Sequence, residues 1–187
     1  MKIFVGKATL FLLHTIDKNN IKMKNFKMKN NLLFCLLFIT IVGYSQKTIP
    51  NKKLHNLKGT SVNISDEISK DKITILSFWA TWCVPCLNEL DAINDVYEDW
   101  QEETNVELIA ISTDDSRSQK RVKALANGKA WEYKILLDKN QELQRALNIT
   151  TVPELLVVKN SKIIYRHSGY SPGFEDELYE IIKKNVD

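Results

Sequence analysis

Cysteine, glycine and proline are all scarce in this chain of 187 residues. Three Cys are too few for a small disulfide-stapled scaffold. Six Gly and four Pro exclude collagen-like and low-complexity architectures. Charge of one sign is missing as well. The formal net charge is +3, but residues 1–45 hold seven Lys against one acid, Asp17, which leaves 19 basic and 22 acidic groups in the rest of the chain. That body is net acidic, has no basic run and no stacking aromatic array, and so lacks the footprint of nucleic-acid binding. What the chain does have is 44% hydrophobic residues, enough for one domain with a core of its own.

The longest apolar run is short. Leu32 to Val42 spans 11 residues, preceded by Lys24, Lys27 and Lys29 and followed by Gly43-Tyr44-Ser45-Gln46. A basic stretch, a short apolar core and small residues at Gly43 and Ser45 have the pattern of a secretory signal cut after Ser45. A bilayer-spanning helix wants about 20 apolar residues, so a retained anchor is the competing reading. From Met28 to Ser45 is 18 residues, the usual length of a signal, which points to a start at Met28 or Met23. Cys35, inside the run, reads as a small hydrophobe. The expectation is a leader over residues 1–45, one domain over 46–187, and export to the periplasm or cell envelope, with membrane contact only through a retained leader.

Without the leader two Cys remain, Cys83 and Cys86, in a compartment where disulfides persist. Around them, apolar spacing predicts alternating strands and helices. Residues 46–72 form a hairpin turning at Lys58-Gly59. Ile73–Trp79 is a strand buried on both faces, and Pro85 opens a helix whose Leu87, Leu90, Ile93, Tyr97 and Trp100 share a face. Val106–Ile111 is the next strand, and Ser112-Thr113-Asp114 should cap a helix carrying Val122, Leu125 and Ala126 that stops near Asn127-Gly128. A strand over Trp131–Leu137, a short helix over Asp138–Leu147, strands at Leu155–Val158 and Lys162–Tyr165, and a helix from about Gly173 to Lys184 complete the order. This is an α/β chain with a central mixed sheet flanked by helices.

The pair sits in Trp82-Cys83-Val84-Pro85-Cys86, where a buried strand feeds a helix. Unpaired N–H groups at a helix start favour an anion, so Cys83 should have a depressed pKa and serve as the nucleophile. Cys86, one turn further in, should be less exposed and resolve the mixed disulfide. Trp79 reads as packing, and Trp82 as part of an exposed rim. A zinc site needs four ligands, and His55 and His167 stand at no ligand-like spacing from the two Cys. They read as surface or strand-end residues, and Glu98, Asp99, Glu102 and Glu103 as a solvated face.

Phe78-Trp79-Ala80-Thr81-Trp82-Cys83-Val84-Pro85-Cys86, the later Thr151-Val152-Pro153 and the order of elements resemble the thioredoxin superfamily, and within it the TlpA/ResA-like exported thiol-disulfide reductases. The resemblance covers roughly residues 50–185. It implies a thioredoxin-like fold in which the helix and strand near 115–137 are a central αβ insertion. Pro153 would be a cis proline facing the pair, with the Val152 backbone free to pair with a client strand. Trp82, Val84 and Pro85 would complete the client-binding surface. Glu89 matches the family's active-site acid and would exchange protons with Cys86, against the alternative of a solvated helix-face carboxylate. No cofactor or metal is implied. The partners would be protein disulfides, apocytochrome c among them, and a membrane-borne thiol donor, for a monomeric enzyme.

Two positions depart from the family. Ser77 stands where classical thioredoxins carry a buried Asp. Glu154 replaces a small hydroxyl residue after the cis proline, where a carboxylate should disfavour acidic clients and, if close, raise the Cys83 pKa. A disulfide-forming oxidase of the same fold and a non-catalytic peptide-binding module are the alternatives. Peroxide reduction would want a Thr three residues before the attacking Cys, where Ala80 stands.

Overall fold

Six consecutive buried residues, Thr74-Ile-Leu-Ser-Phe-Trp79, form the strand on which the fold is centred. The computed structural model describes residues 47–186; the leader expected over residues 1–45 lies outside the described residues. Within them, seven strands run as β1 (Lys53–Asn56), β2 (Ser61–Asn63), β3 (Thr74–Trp79), β4 (Glu107–Ser112), β5 (Lys134–Leu137), β6 (Glu154–Lys159) and β7 (Lys162–Ser168). Five helices are interleaved: α1 (Ile64–Glu67), α2 (Val84–Thr104), α3 (Gln119–Lys129), α4 (Glu142–Ala146) and α5 (Phe174–Asn185).

The strands make one mixed sheet in the order β2-β1-β5-β4-β3-β6-β7. The three central strands β5, β4 and β3 are parallel, while β6 and β7 continue antiparallel on one side. The expected hairpin β1–β2 forms and joins the sheet by pairing antiparallel to β5. Its link to the sheet is therefore the strand of the expected insertion.

Alternation along the buried strands divides the core in two. Ile75, Trp79, Leu155 and Val157 face α2, α3 and α5, where Leu90, Ile93, Tyr97, Trp100, Val122 and Leu178 meet them. Leu76, Phe78, Leu156 and Val158 face α1 and α4, against Ile64, Leu143 and Leu147. Both faces of the parallel strands are thereby covered, as such strands require.

Three expectations need correction. The Ser112-Thr113-Asp114 cluster does not cap α3, which begins at Gln119 behind Ser118 and has no side-chain cap bond. The Asp114 carboxylate is instead taken by Thr81, as described below. That helix also runs through Gly128 and ends at Ala130 in a left-handed conformation, so glycine is not its stop. The strand expected from Trp131 begins only at Lys134. Trp131 and Tyr133 spend their rings on stacking with each other, and Trp131 meets Trp79 edge-on.

Candidate active site

The junction of β3 and α2 puts the two sulfurs together. Cys83 is the N-cap of α2, with Val84 and Pro85 in the first turn. There Pro has no N–H to waste, because the first turn leaves its N–H groups unpaired in any case. Cys83 and Cys86 are joined by a disulfide with their Cα atoms 5.3 Å apart. The Cys86 N–H points at the Cys83 Sγ, at 3.3 Å. A donor aimed at that sulfur is what would stabilise it as a thiolate once the bond is opened.

Exposure divides the motif. Cys86 is fully buried and Cys83 is 4% exposed, whereas the flanking Trp82 and Val84 are 68% and 65% exposed. Among the described residues these two are the large apolar side chains most open to solvent, and in the chain they flank the outer Cys. Trp79, three residues before Trp82, is fully buried. Packing for Trp79 and an exposed rim for Trp82 are both what the structure has.

Glu89 lies one turn beyond Cys86 on the buried stripe of α2, and it is fully buried rather than solvated. Its Oε2 accepts a hydrogen bond from Ser77 Oγ at 2.9 Å, and its Oε1 has no hydrogen-bond partner among the described residues. Burial pushes the Glu89 carboxyl up to about 7; the Ser77 bond pulls it partly back, and the Glu154 carboxylate pushes it further up. A carboxyl poised there can take or give a proton near neutral pH.

The chain before the disulfide is held from β4. Asp114, buried two residues past the end of that strand, accepts from the Thr81 N–H at 2.8 Å, the Thr81 Oγ1 at 2.7 Å and the Ser112 Oγ at 2.9 Å. Thr113 adds its own N–H and Oγ1 to the Trp79 carbonyl, at 2.8 and 3.2 Å. Sequence reasoning missed this role. The signal available was a run of small polar residues after a buried strand, which a helix cap explains equally well.

The second half of the site is the turn into β6. The Val152–Pro153 peptide bond is cis. Glu154, next in the chain, is in register with Phe78, so Pro153 lies at the same end of the sheet as the β3–α2 junction. Val152 packs against the cluster that contains both Cys83 and Cys86. Glu154, however, does not line this side. It shares strand parity with Leu156 and Val158 and so faces α1 and α4. There it is 2% exposed and accepts hydrogen bonds from Arg166 Nε and Ser168 Oγ. A carboxylate turned to the opposite face, already paired with a guanidinium, does not confront a client segment, and the expectation that it would is corrected.

His55 and His167 lie within β1 and β7. His167 stacks on Phe174, with ring centroids 3.9 Å apart. Glu98, Asp99, Glu102 and Glu103 are exposed along α2.

A protein-family model for the AhpC/TSA family matches residues 45–167, about two thirds of the chain. The chain belongs to the AhpC/TSA family. Its likeness to solved structures includes an uncharacterized thioredoxin-like protein from Porphyromonas gingivalis, at 44% identity and a TM-score of 0.67, over 74% of this chain and 91% of that one. The thiol-disulfide oxidoreductase ResA of Bacillus thuringiensis subsp. konkukian is 27% identical over 175 residues, which covers 83% of this chain and 97% of the relative. A putative thiol:disulfide interchange protein DsbE from Chlorobium tepidum, at 19% identity and a TM-score of 0.66, shares the fold over 77% of this chain and 99% of its own. This family member is thus a thiol-disulfide oxidoreductase of thioredoxin fold, with its CxxC pair at Cys83 and Cys86.

Proposed function

We propose that the protein is an exported thiol-disulfide oxidoreductase that works as a reductant of protein disulfides. The observation that carries the reading is the Cys83–Cys86 disulfide at the start of α2, with its outer sulfur between two exposed apolar side chains and a buried carboxyl one turn behind its inner one. In the reduced enzyme, the Cys83 thiolate attacks one sulfur of a client disulfide. A mixed disulfide forms and the client's other sulfur leaves as a thiolate. Cys86, giving up its proton to Glu89, attacks Cys83, which restores the intramolecular bond and frees the second client thiol. Two electrons pass to the client, and the enzyme pair is oxidised.

Trp82, Val84 and Pro85 form the apolar rim against which a client lies, and the Val152 backbone before Pro153 pairs with its extended strand. The basic residues, short apolar run and small residues of the leader support export. Among the described residues no helix is long and apolar enough to cross a membrane. Tethering, if the leader is kept, would come from residues 1–45. The clients we envisage are envelope proteins, apocytochrome c among them, with a membrane-borne thiol donor recharging a monomeric enzyme.

Two measurements test this. A Cys83→Ala variant should lose disulfide-reducing activity; full activity in that variant removes the catalytic assignment. Equilibrating the pair against glutathione buffers should give a thioredoxin-like reducing potential, whereas a value near about −120 mV would make the protein a disulfide-forming oxidant instead.

A further inference from the structure

Glu154 is the residue at which this chain departs from the family's pattern beside the cis proline, and the structure shows what the carboxylate is attached to. It is 2% exposed, and its register opposite Phe78 and parity with Leu156 turn it to the α4 face of the sheet, the side of the second apolar cluster. A lone carboxylate would be costly in such a place. Two donors meet it, Arg166 Nε and Ser168 Oγ, both from β7. Register explains why they can: Ser168 is the direct cross-strand partner of Glu154, and Arg166 that of Leu156, so all of them point to one face.

The rest of the guanidinium is occupied too. Arg166 Nη1 donates to the Leu147 carbonyl at 3.1 Å, and Nη2 to the Asn148 carbonyl at 3.4 Å. Leu147 and Asn148 are where α4 ends, and Asn148 turns the chain with a φ of 55°. From there the backbone runs through Ile149, Thr150, Thr151 and Val152 to Pro153 and returns to the sheet at Glu154. One side chain therefore holds both the first and the last residues of the turn that carries Val152 and Pro153. Just past β7, the Gly169 N–H donates to the Pro153 carbonyl at 2.9 Å.

We propose that Glu154 and Arg166 act together as a clamp that sets the position of the Val152–Pro153 backbone, so that they are positioning residues for client-strand binding. The planar fork of Arg suits this task, since it donates in several fixed directions at once, whereas a Lys ammonium is a single point. The clamp touches neither sulfur. Its effect falls on how tightly a client strand is held and not on the chemistry of the Cys pair. This inference rests on the functional reading above, in which the Val152 backbone pairs with the client.

The test is a single-turnover assay with the full chain, reduced beforehand by dithiothreitol and freed of it. One substrate is a model peptide containing a disulfide; the other is dithiobis(2-nitrobenzoate), a small reagent with no backbone to pair. In Arg166→Lys the half-saturating peptide concentration should rise roughly tenfold, the loss of one or two backbone hydrogen bonds to the client. The limiting rate, the rate with the small reagent and the equilibrium potential should stay within about twofold. Glu154→Gln, which keeps size and an acceptor oxygen, should move the same quantity in the same direction by a smaller factor, roughly threefold.

An unchanged half-saturating concentration in folded variants overturns the clamp, as does a parallel loss with the small reagent. If Arg166→Lys does not fold, Glu154→Gln decides on the same criteria. If neither folds, the pair serves folding and the positioning role is rejected. A wild-type protein that reacts with the small reagent but never with the peptide overturns the functional reading itself, and the clamp with it.

Discussion

Ser77 Oγ donates a 2.9 Å hydrogen bond to Glu89 Oε2, and both residues are fully buried between β3 and α2. One strand residue and one helix residue thus meet behind the disulfide, one turn of α2 from Cys86. Among the described residues the bond satisfies half of the carboxyl group only, because Glu89 Oε1 finds no partner there. A protonated carboxyl calls for fewer donors than a carboxylate does, so a single donor in a buried place and the raised pKa of about 7 agree.

Glu89 should make the folded protein less stable as pH rises. Its carboxyl goes from an ordinary value near 4.5 to about 7 on folding, so the folded state binds the proton more tightly. Stability is then fully present below the ordinary value and is lost as pH rises through the folded one. At about 1.36 kcal/mol per unit the loss is on the order of 3 kcal/mol by pH 8. A Glu89→Gln variant lacks this contribution. Denaturant unfolding of the oxidised protein at several pH values should show wild type and variant converging near pH 4 and diverging by pH 8, with the variant the more stable. Parallel curves would mean that Glu89 titrates normally.

Ser77→Ala should move the Glu89 titration in the upward direction. The hydroxyl donates to the charged form, and removing it takes away the interaction that lowers the pKa. Hydrogen bonds to charged groups are worth about 1.5–3 kcal/mol, so the shift is on the order of one unit. In the pH dependence of disulfide exchange, the limb assigned to Glu89 should lie at higher pH in Ser77→Ala and be absent in Glu89→Gln. An unmoved limb would separate Ser77 from proton handling.

The order of elements was legible because each has a local cause: β-rich buried runs for β3 and β4, three- and four-residue apolar spacing for α2 and α5. The Cys pair was legible from its long motif, and the cis bond at Pro153 through the family resemblance alone. Burial of Glu89 was half legible, since it lies four residues before Ile93 and eight before Tyr97, on the stripe that α2 buries. Its charge hid that. The ties made by Asp114 and Arg166 could not be read. They join segments 12 to 33 residues apart, and only the sheet register brings them together.

Asp114→Ala should loosen the approach to Cys83. Its carboxylate gathers the Thr81 N–H, the Thr81 hydroxyl and the Ser112 hydroxyl in a buried place. Removing the acceptor strands three donors and should cost about 2–3 kcal/mol of unfolding free energy. Asp114→Asn, which keeps one acceptor oxygen, should cost less. Denaturant midpoints at unchanged slope would check both. A loss under about 0.5 kcal/mol in the alanine variant would show that water replaces the carboxylate without penalty.

Trp79 and Trp82 stand three residues apart, and their substitution should separate stability from activity. Trp79 is fully enclosed and meets Trp131 edge-on at 5.2 Å between ring centroids. Truncation to Ala leaves a cavity within the first core cluster and should cost about 3–5 kcal/mol. Trp82 is 68% exposed. Its loss removes little packing, and Trp82→Ala should change stability by less than about 0.5 kcal/mol. The rim it forms with Val84 lies beside the outer sulfur, where a client's apolar side chains would rest. Trp82→Ala should therefore lower the rate of peptide disulfide reduction several-fold while the rate with a small aromatic disulfide reagent changes less. Equal rates for wild type and variant on the peptide would leave the exposed indole without a part in client binding, and the apolar contact would then fall to Val84 and Pro85.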